Sequence, residues 1–188
     1  MMTMNVDYSP RDALLVVDMQ NDFCEGGALA VQGGSGLVPG INAEIEAAHA
    51  AGAMVIASRD WHTVDHVSFE HRGGPWPVHC VQDTPGAAFH PDLALGDDTI
   101  RVSKATAFDA DAYSAFDGTG LGGYLKEKGI ERVIVCGLAL DVCVKATILA
   151  ARKEGFDTVF LERLSAAVDP DAVKCRQEFT DAGAEVRS

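Results

Sequence analysis

Three side chains of different chemistry each stand directly behind a short apolar run in this sequence. Asp18 follows Leu15-Val16-Val17, Lys104 closes the run 99–102 through Ser103, and Cys143 follows the run 132–136 by way of Gly137-Leu138-Ala139-Leu140-Asp141-Val142. A thiol, a carboxylate and a cation are the parts of an activated nucleophile. The sulfur attacks, the carboxylate takes and returns protons, and the lysine steadies both anions. A lysine in that place lowers both the thiol and the carboxylate pKa. If Asp141 caps a helix that opens at Val142, Cys143 lies in the first turn. There the helix dipole favours a thiolate, and free N–H groups can hold an oxyanion. The plain alternative for any cysteine is an inert buried thiol, and that reading holds for Cys24, Cys80, Cys136 and Cys175.

A second group gathers imidazoles and carboxylates. It runs Asp60-Trp61-His62-Thr63-Val64-Asp65-His66 and resumes at Trp76-Pro77-Val78-His79. Residues two apart on extended backbone point the same way, so Asp60 and His62 can reach one ion. His79 returns as a third ligand, and His66 supplies a fourth or an outer contact. Carboxylate and imidazole without thiolate suits a divalent ion, zinc first, with manganese or iron(II) as alternatives, and three protein ligands leave positions open for water. The plain alternative is a set of surface histidines. Four of the six histidines fall between residues 62 and 79, which argues against it. His49, His71 and His90 read as loop residues.

Positioning these groups calls for a sheet. Runs at 13–17, 54–57, 99–102, 132–136 and 158–161 read as buried strands. Between them lie segments of helical period. Ile41, Ile45 and Ala48 share one face before Gly52, and Leu121, Tyr124 and Leu125 share another before Gly129. The segment 142–154 carries Val144, Ile148 and Ala151 and stops at Gly155. Asp169-Pro170 opens a last helix that Gly183 closes. The alternation predicts a single α/β domain over 1–188, with a mainly parallel open sheet and helices on both faces. The segment 59–98, about forty residues without periodicity, is too long for a plain connector and reads as a metal-binding loop insertion. In such sheets ligands bind beyond the carboxyl ends of the strands. The acid, the metal cluster, the lysine and the thiol all fall on that edge.

The chain has 188 residues and a net charge of −13, from 28 acidic and 15 basic side chains. That balance argues against nucleic acid and against an anionic membrane surface as partners. No run approaches the ~18 apolar residues of a spanning helix. The start, Met1-Met2-Thr3-Met4-Asn5-Val6-Asp7, lacks a basic and an apolar region, so a cytoplasmic protein is expected. Five widely spread cysteines without a Cys-x-x-Cys pair do not form a disulfide framework. The run Gly118-Thr119-Gly120-Leu121-Gly122-Gly123 matches a dinucleotide pattern but has no strand before it. Gly33-Gly34-Ser35-Gly36 reads as a flexible turn.

Taken together, these segments resemble the nicotinamidases of the isochorismatase-like cysteine hydrolases over nearly the whole chain. The likeness rests on Val16-Val17-Asp18-Met19-Gln20-Asn21-Asp22-Phe23, on Asp60-Trp61-His62 with His66 and Ser68-Phe69, and on Trp76-Pro77-Val78-His79-Cys80. Lys104 and Gly137-Leu138-Ala139-Leu140-Asp141-Val142-Cys143-Val144 complete it. The resemblance implies the isochorismatase-like fold and hydrolysis of nicotinamide to nicotinate and ammonia through a thioester, with pyrazinamide as a further substrate and a place in NAD salvage. It implies Cys143 as nucleophile, Asp18 as proton shuttle and Lys104 as the positive member. It implies an oxyanion hole from the N–H groups of Ala139 and Cys143, with a cis peptide between Leu138 and Ala139. Asp60, His62 and His79 would hold the ion, which in this family meets the pyridine nitrogen, while Phe23 and Trp76 wall the ring. Leu140 stands where the family often has a hydroxyl residue.

Two other readings make different predictions. A metal-free hydrolase of another small amide or of isochorismate keeps its activity after chelation. A catalytically silent metal- or ligand-binding protein is indifferent to Cys143→Ala. A homo-oligomer is expected as a prior for enzymes of this kind.

Overall fold

Strands β1 (Asp12–Val17), β2 (Met54–Asp60), β3 (Ile100–Lys104), β4 (Arg132–Leu138), β5 (Asp157–Ala166) and β6 (Glu185–Arg187) form one sheet in the order β3-β2-β1-β4-β5-β6, and every pairing is parallel. This is a computed structural model that describes residues 6–188, so all but the end of the N-terminal stretch weighed above lies outside the described residues. Parallel strands need crossovers, and helices α1 (Val38–Ala50), α2 (Leu121–Glu127), α3 (Lys145–Lys153) and α4 (Val173–Asp181) supply them, except between β2 and β3. There residues 61–99 cross with only short helical turns and isolated bridges, His62 to Val81 and Phe69 to Trp76 among them.

Strand alternation divides the core. Leu14 and Val16 face a cluster shared with Ile41 and Ile45 of α1, while Ala13, Leu15 and Val17 face Leu121 and Leu125 of α2, Ile148 of α3 and Phe179 of α4. Every residue of β1 is buried, as expected for a central strand covered on both faces. At the amino end of the sheet, Arg132 grips Asp12 with two bonds of 2.9 and 2.7 Å, and the Ser9 N–H adds a third at 2.7 Å. Gly137 is needed where β4 meets β1. Its φ is +113°, and a Cβ there would stand 2.2 Å from the Val17 carbonyl oxygen.

The expected strands are present, most of them longer than their apolar runs. β2 runs through Arg59 and Asp60, which the expected insertion 59–98 includes, and β3 ends at Lys104 as expected. β6 was not anticipated: three residues at an edge carry no period. The last helix opens at Val173, not at Asp169-Pro170. The Asp169 carboxylate instead accepts the Asp171 N–H, making a turn ahead of the helix. The 142–154 segment is not one α-helix: Leu140–Val144 forms a π-turn, and α3 follows. Asp141 makes no capping bond to that turn. Ser35–Leu37, in the glycine run, is a 3-10 turn. Among the described residues no helix is long and apolar enough to cross a membrane.

Candidate active site

The strand order β3-β2-β1-β4 sets Lys104, Asp60, Asp18 and the Cys143 turn side by side along the carboxyl edge, because each lies at or just past the end of its strand. Asp18 and Cys143 flank the point where the strand order reverses, the usual crevice of an open α/β sheet. Asp18 leaves β1 with φ +49°, an uncommon conformation for a residue other than glycine. Its N–H donates to the Ser58 carbonyl at 3.1 Å, and the Ser58 hydroxyl donates to its Oδ1 at 2.8 Å.

Lys104 is the hub. Its Nζ lies 2.8 Å from Asp18 Oδ2, 2.5 Å from Asp60 Oδ1 and 3.5 Å from Cys143 Sγ, and it is wholly buried. Burial alone would lower its pKa, but the Asp18 and Asp60 carboxylates override that and hold the ammonium charged well above its ordinary range. The thiol does not follow the direction expected from its lysine and helical turn. Burial pushes Cys143 well up despite Lys104, and the Asp18 and Asp60 charges add to the rise. Burial likewise raises Asp18, against the pull of Lys104. Desolvation outweighs the single cation because that cation faces two carboxylates. The sulfur therefore rests as a thiol beside a carboxylate able to take its proton.

Cys143 lies in the π-turn, whose ladder begins with the Val144 N–H on the Ala139 carbonyl at 3.1 Å; the Val142 N–H shares that oxygen at 3.1 Å. Donors within such a first turn are the ones a helix leaves unpaired. The Leu138–Ala139 peptide is cis, as the resemblance implies, and Ala139 is extended. Ala139 and Cys143 both line a pocket with about 450 Å³ between its walls, mouth included. Phe23, Trp76, His62, His79 and Asp60 line it too, so the expected ring walls, ligands and nucleophile share one cavity.

Asp60, His62 and His79 each offer a ligand atom within 4.8 Å of the others. Their tautomers suit an ion. His62 Nδ1 bonds the His79 carbonyl at 2.9 Å, and His79 Nδ1 bonds the Pro77 carbonyl at 2.7 Å. Carbonyls only accept, so both rings donate from Nδ1 and leave Nε2 as the nitrogen for an ion. Burial lowers His62 to about 4, keeping the ring neutral as a ligand must be. The donor set fits a divalent ion. His66 stands beside this trio. Its ring packs 4.5 Å from that of His62, and its nitrogens are engaged with the Ser68 hydroxyl at 2.7 Å and the Ala110 carbonyl at 3.2 Å. It also forms a second close group with His62 and the exposed Asp111.

Several contributors escape a reading by sequence. The Gln20 amide pins Asp60 from both sides, donating to its carbonyl at 2.8 Å and accepting its N–H at 2.9 Å. The Tyr113 hydroxyl accepts the Trp76 indole N–H at 3.2 Å and closes the pocket together with Asp111 and Ala112. Gln20 lies in the run after Asp18 and could have been suspected. Tyr113 and Ser58 carry no local signal. The remaining cysteines, Cys24, Cys80, Cys136 and Cys175, are buried and free, as expected.

Known proteins are similar to this chain in sequence and in fold. The chain is 40% identical over 185 residues, 93% of its length and 97% of the relative's, to a nicotinamidase/pyrazinamidase of Mycobacterium tuberculosis. It is 44% identical to the crystal structure of the pyrazinamidase of Pyrococcus horikoshii in complex with zinc, at TM-score 0.92 over 95% of this chain and 99% of that one. A crystal structure of PnC1 from L. infantum in complex with nicotinate is 41% identical, at TM-score 0.90 over 98% of this chain and 96% of that one. The isochorismatase domain matches residues 12–187, the whole sheet from β1 to β6, and the chain belongs to the isochorismatase family.

Proposed function

We propose that the chain is a metal-dependent cysteine amidohydrolase that converts nicotinamide to nicotinate and ammonia, and that it also accepts pyrazinamide. The observation that carries this reading is Lys104, with Asp18, Asp60 and Cys143 all within 3.5 Å of its ammonium, next to a pocket that Asp60 and Cys143 line together with two imidazoles and two aromatic walls. The relatives' names support the substrate. On the same reading the segment after β2 is an insertion that brings His62 and His79 to Asp60 at the strand's end, and the enzyme works in the cytoplasm, in NAD salvage, with nicotinamide as its partner. A homo-oligomer agrees with it.

The chemistry follows from the side chains. The ring lies between Phe23 and Trp76 with its amide carbon against Cys143. Sulfur adds to that carbon as the thiol proton passes to Asp18, whose raised pKa suits it to hold a proton. The N–H groups of Ala139 and Cys143 stabilise the oxyanion. Asp18 returns the proton to the leaving nitrogen, ammonia departs, and the acyl group remains on sulfur as a thioester. Water then attacks as Asp18 takes its proton. Collapse releases nicotinate, and the Asp18 proton restores the thiol. Lys104 stays charged throughout and offsets the negative charge that moves between sulfur and carboxylate. Asp60, His62 and His79 would hold a divalent ion, zinc first, which supplies a Lewis-acid contact for the pyridine nitrogen and ordered water. His66 then acts from outside, packing on His62.

The test is ammonia release from nicotinamide by the purified chain, before and after chelation, with zinc, manganese or iron(II) restored and Cys143→Ala as control. Turnover lost on chelation, regained with metal and absent in the variant is expected. No turnover by the folded, metal-loaded protein overturns the reading.

A further inference from the structure

β4 and β5 remain paired, through a register shift between Val135 and Gly137, as far as Leu138 opposite Ala166, so the segments that follow them leave the sheet as neighbours. One becomes the π-turn that carries Asp141 and Cys143, and the other becomes the loop 167–172 before α4. Asp141 does not cap its own turn. Its carboxylate crosses to the neighbouring loop, Oδ1 accepting the Val168 N–H at 2.9 Å and Oδ2 the Asp169 N–H at 2.9 Å. One ionised group thus takes two successive backbone donors, a charge-assisted pair fixed in direction as well as distance. Val168 lines the pocket beside Ala139, Val142 and Cys143, yet 52% of its surface is exposed. Side-chain packing therefore does little to locate it, and the two backbone bonds do more. The turn that carries Cys143 is held by its own main chain, through Val142 and Val144 on the Ala139 carbonyl.

We propose that Asp141 is a positioning residue that fixes the Val168 wall of the substrate pocket, and so sets how tightly and how selectively a flat ring is held without taking part in the chemistry at sulfur. The proposal rests on the amidohydrolase reading for its substrate, but not for the clamp itself. Without the carboxylate, Val168 drifts from the ring while Asp18, Lys104 and Cys143 keep their places. The loss is then one of uniform binding, which raises KM and leaves kcat alone. Selectivity falls with it, because a wall that moves no longer refuses a ring carrying an extra methyl group.

The experiment uses the full chain loaded with zinc and the variants Asp141→Ala, Asp141→Asn and Val168→Ala. Steady-state constants are taken for nicotinamide and for a ring-methylated nicotinamide, and amide hydrogen exchange is followed by NMR at Val168 and Asp169. For Asp141→Ala, KM is expected to rise about fivefold or more with kcat within about twofold of the parent. Exchange at both amides is expected to quicken about tenfold, and the preference for the unsubstituted ring to narrow. Asp141→Asn, which keeps one acceptor oxygen, falls between. Val168→Ala reproduces the KM and selectivity changes while the amides stay protected. Unchanged exchange in Asp141→Ala overturns the clamp. A kcat that falls further than KM rises assigns Asp141 to the nucleophile's turn and overturns the proposal as well. If Asp141→Ala does not fold, the other two variants carry the same comparison. Exchange is read without substrate, so a parent chain that leaves nicotinamide intact defeats the functional reading alone, and the exchange result still decides the clamp.

Discussion

Lys104 holds a full charge with no exposed surface because Asp18 and Asp60 meet it on two sides. Replacing it by methionine leaves two buried carboxylates facing a thiol with no cation between them. Lys104→Met is expected to cost about 3–5 kcal/mol, read as a lower urea midpoint at unchanged slope, and to abolish ammonia release. Ser58 tests a finer point. Its hydroxyl donates to Asp18 Oδ1, the oxygen that Lys104 does not meet, and Ser58 does not line the pocket. Ser58→Ala leaves that oxygen bare in the interior, at about 1–3 kcal/mol. If Asp18 handles the proton and not the ring, as proposed above, kcat should drop about tenfold with KM unchanged; a change in KM alone would refute that role. At this scale the meeting of Asp18, Lys104 and Cys143 was legible because charged or reactive residues ending apolar runs are conspicuous. The direction of the thiol pKa was not legible. Sequence names the neighbours of Cys143 but not the loss of water around it, and the loss of water decides the sign.

The elements place these side chains through contacts that cross from strand end to strand end. Gln20, just past β1, bonds the main chain of Asp60 at the end of β2 and the Ala87 carbonyl at 2.9 Å in the loop beyond. It spaces the β1 and β2 ends and so aims the Asp60 carboxylate. Gln20→Ala is expected to weaken zinc binding about tenfold, measured by competition with a chromophoric chelator, and to lower stability by about 2–3 kcal/mol as buried backbone groups lose their partner. Unaltered zinc affinity would confine Gln20 to folding. The strands were legible from their apolar runs, and so was the convergence of the site on one edge. The start of α4 was not, because Asp-Pro opens turns as readily as helices and the choice lies with the contacts that follow. Asp141 misled for a related reason. A carboxylate before an apolar helical run looks like a cap, and only the β4–β5 register reveals a nearer pair of donors. β6 stayed hidden because an edge strand of three residues, with Val186 its one apolar side chain, is too short to show a period.

At the scale of the molecule, buried acids that stay protonated govern the response to alkali. Burial raises Cys136 well above its ordinary value of 9.0, with Glu44 adding to the effect. Burial does the same to Cys80, helped by Asp60, and to Tyr8, whose hydroxyl meets Glu44 at 2.8 Å. In each the folded chain keeps a proton that the unfolded chain releases. The stability tied to these groups is complete below their ordinary values and is lost as pH rises past them. Melting temperature should therefore fall above about pH 9. The decline should be shallower in Cys136→Ala by about 1.4 kcal/mol for each pH unit, whatever that variant loses in packing at neutral pH. Parallel slopes for the two proteins would refute the assignment. The single polarity of the sheet has a consequence for change over time. All the groups assigned to the chemistry lie on the carboxyl rim, while Arg132, Asp12 and Ser9 tie the strands together on the amino rim. The two rims can be edited separately. Substitutions that firm the amino rim can offset the instability of a buried, charged site at the other end of the same strands, so new substrates can be tried on one rim while the other keeps the chain folded.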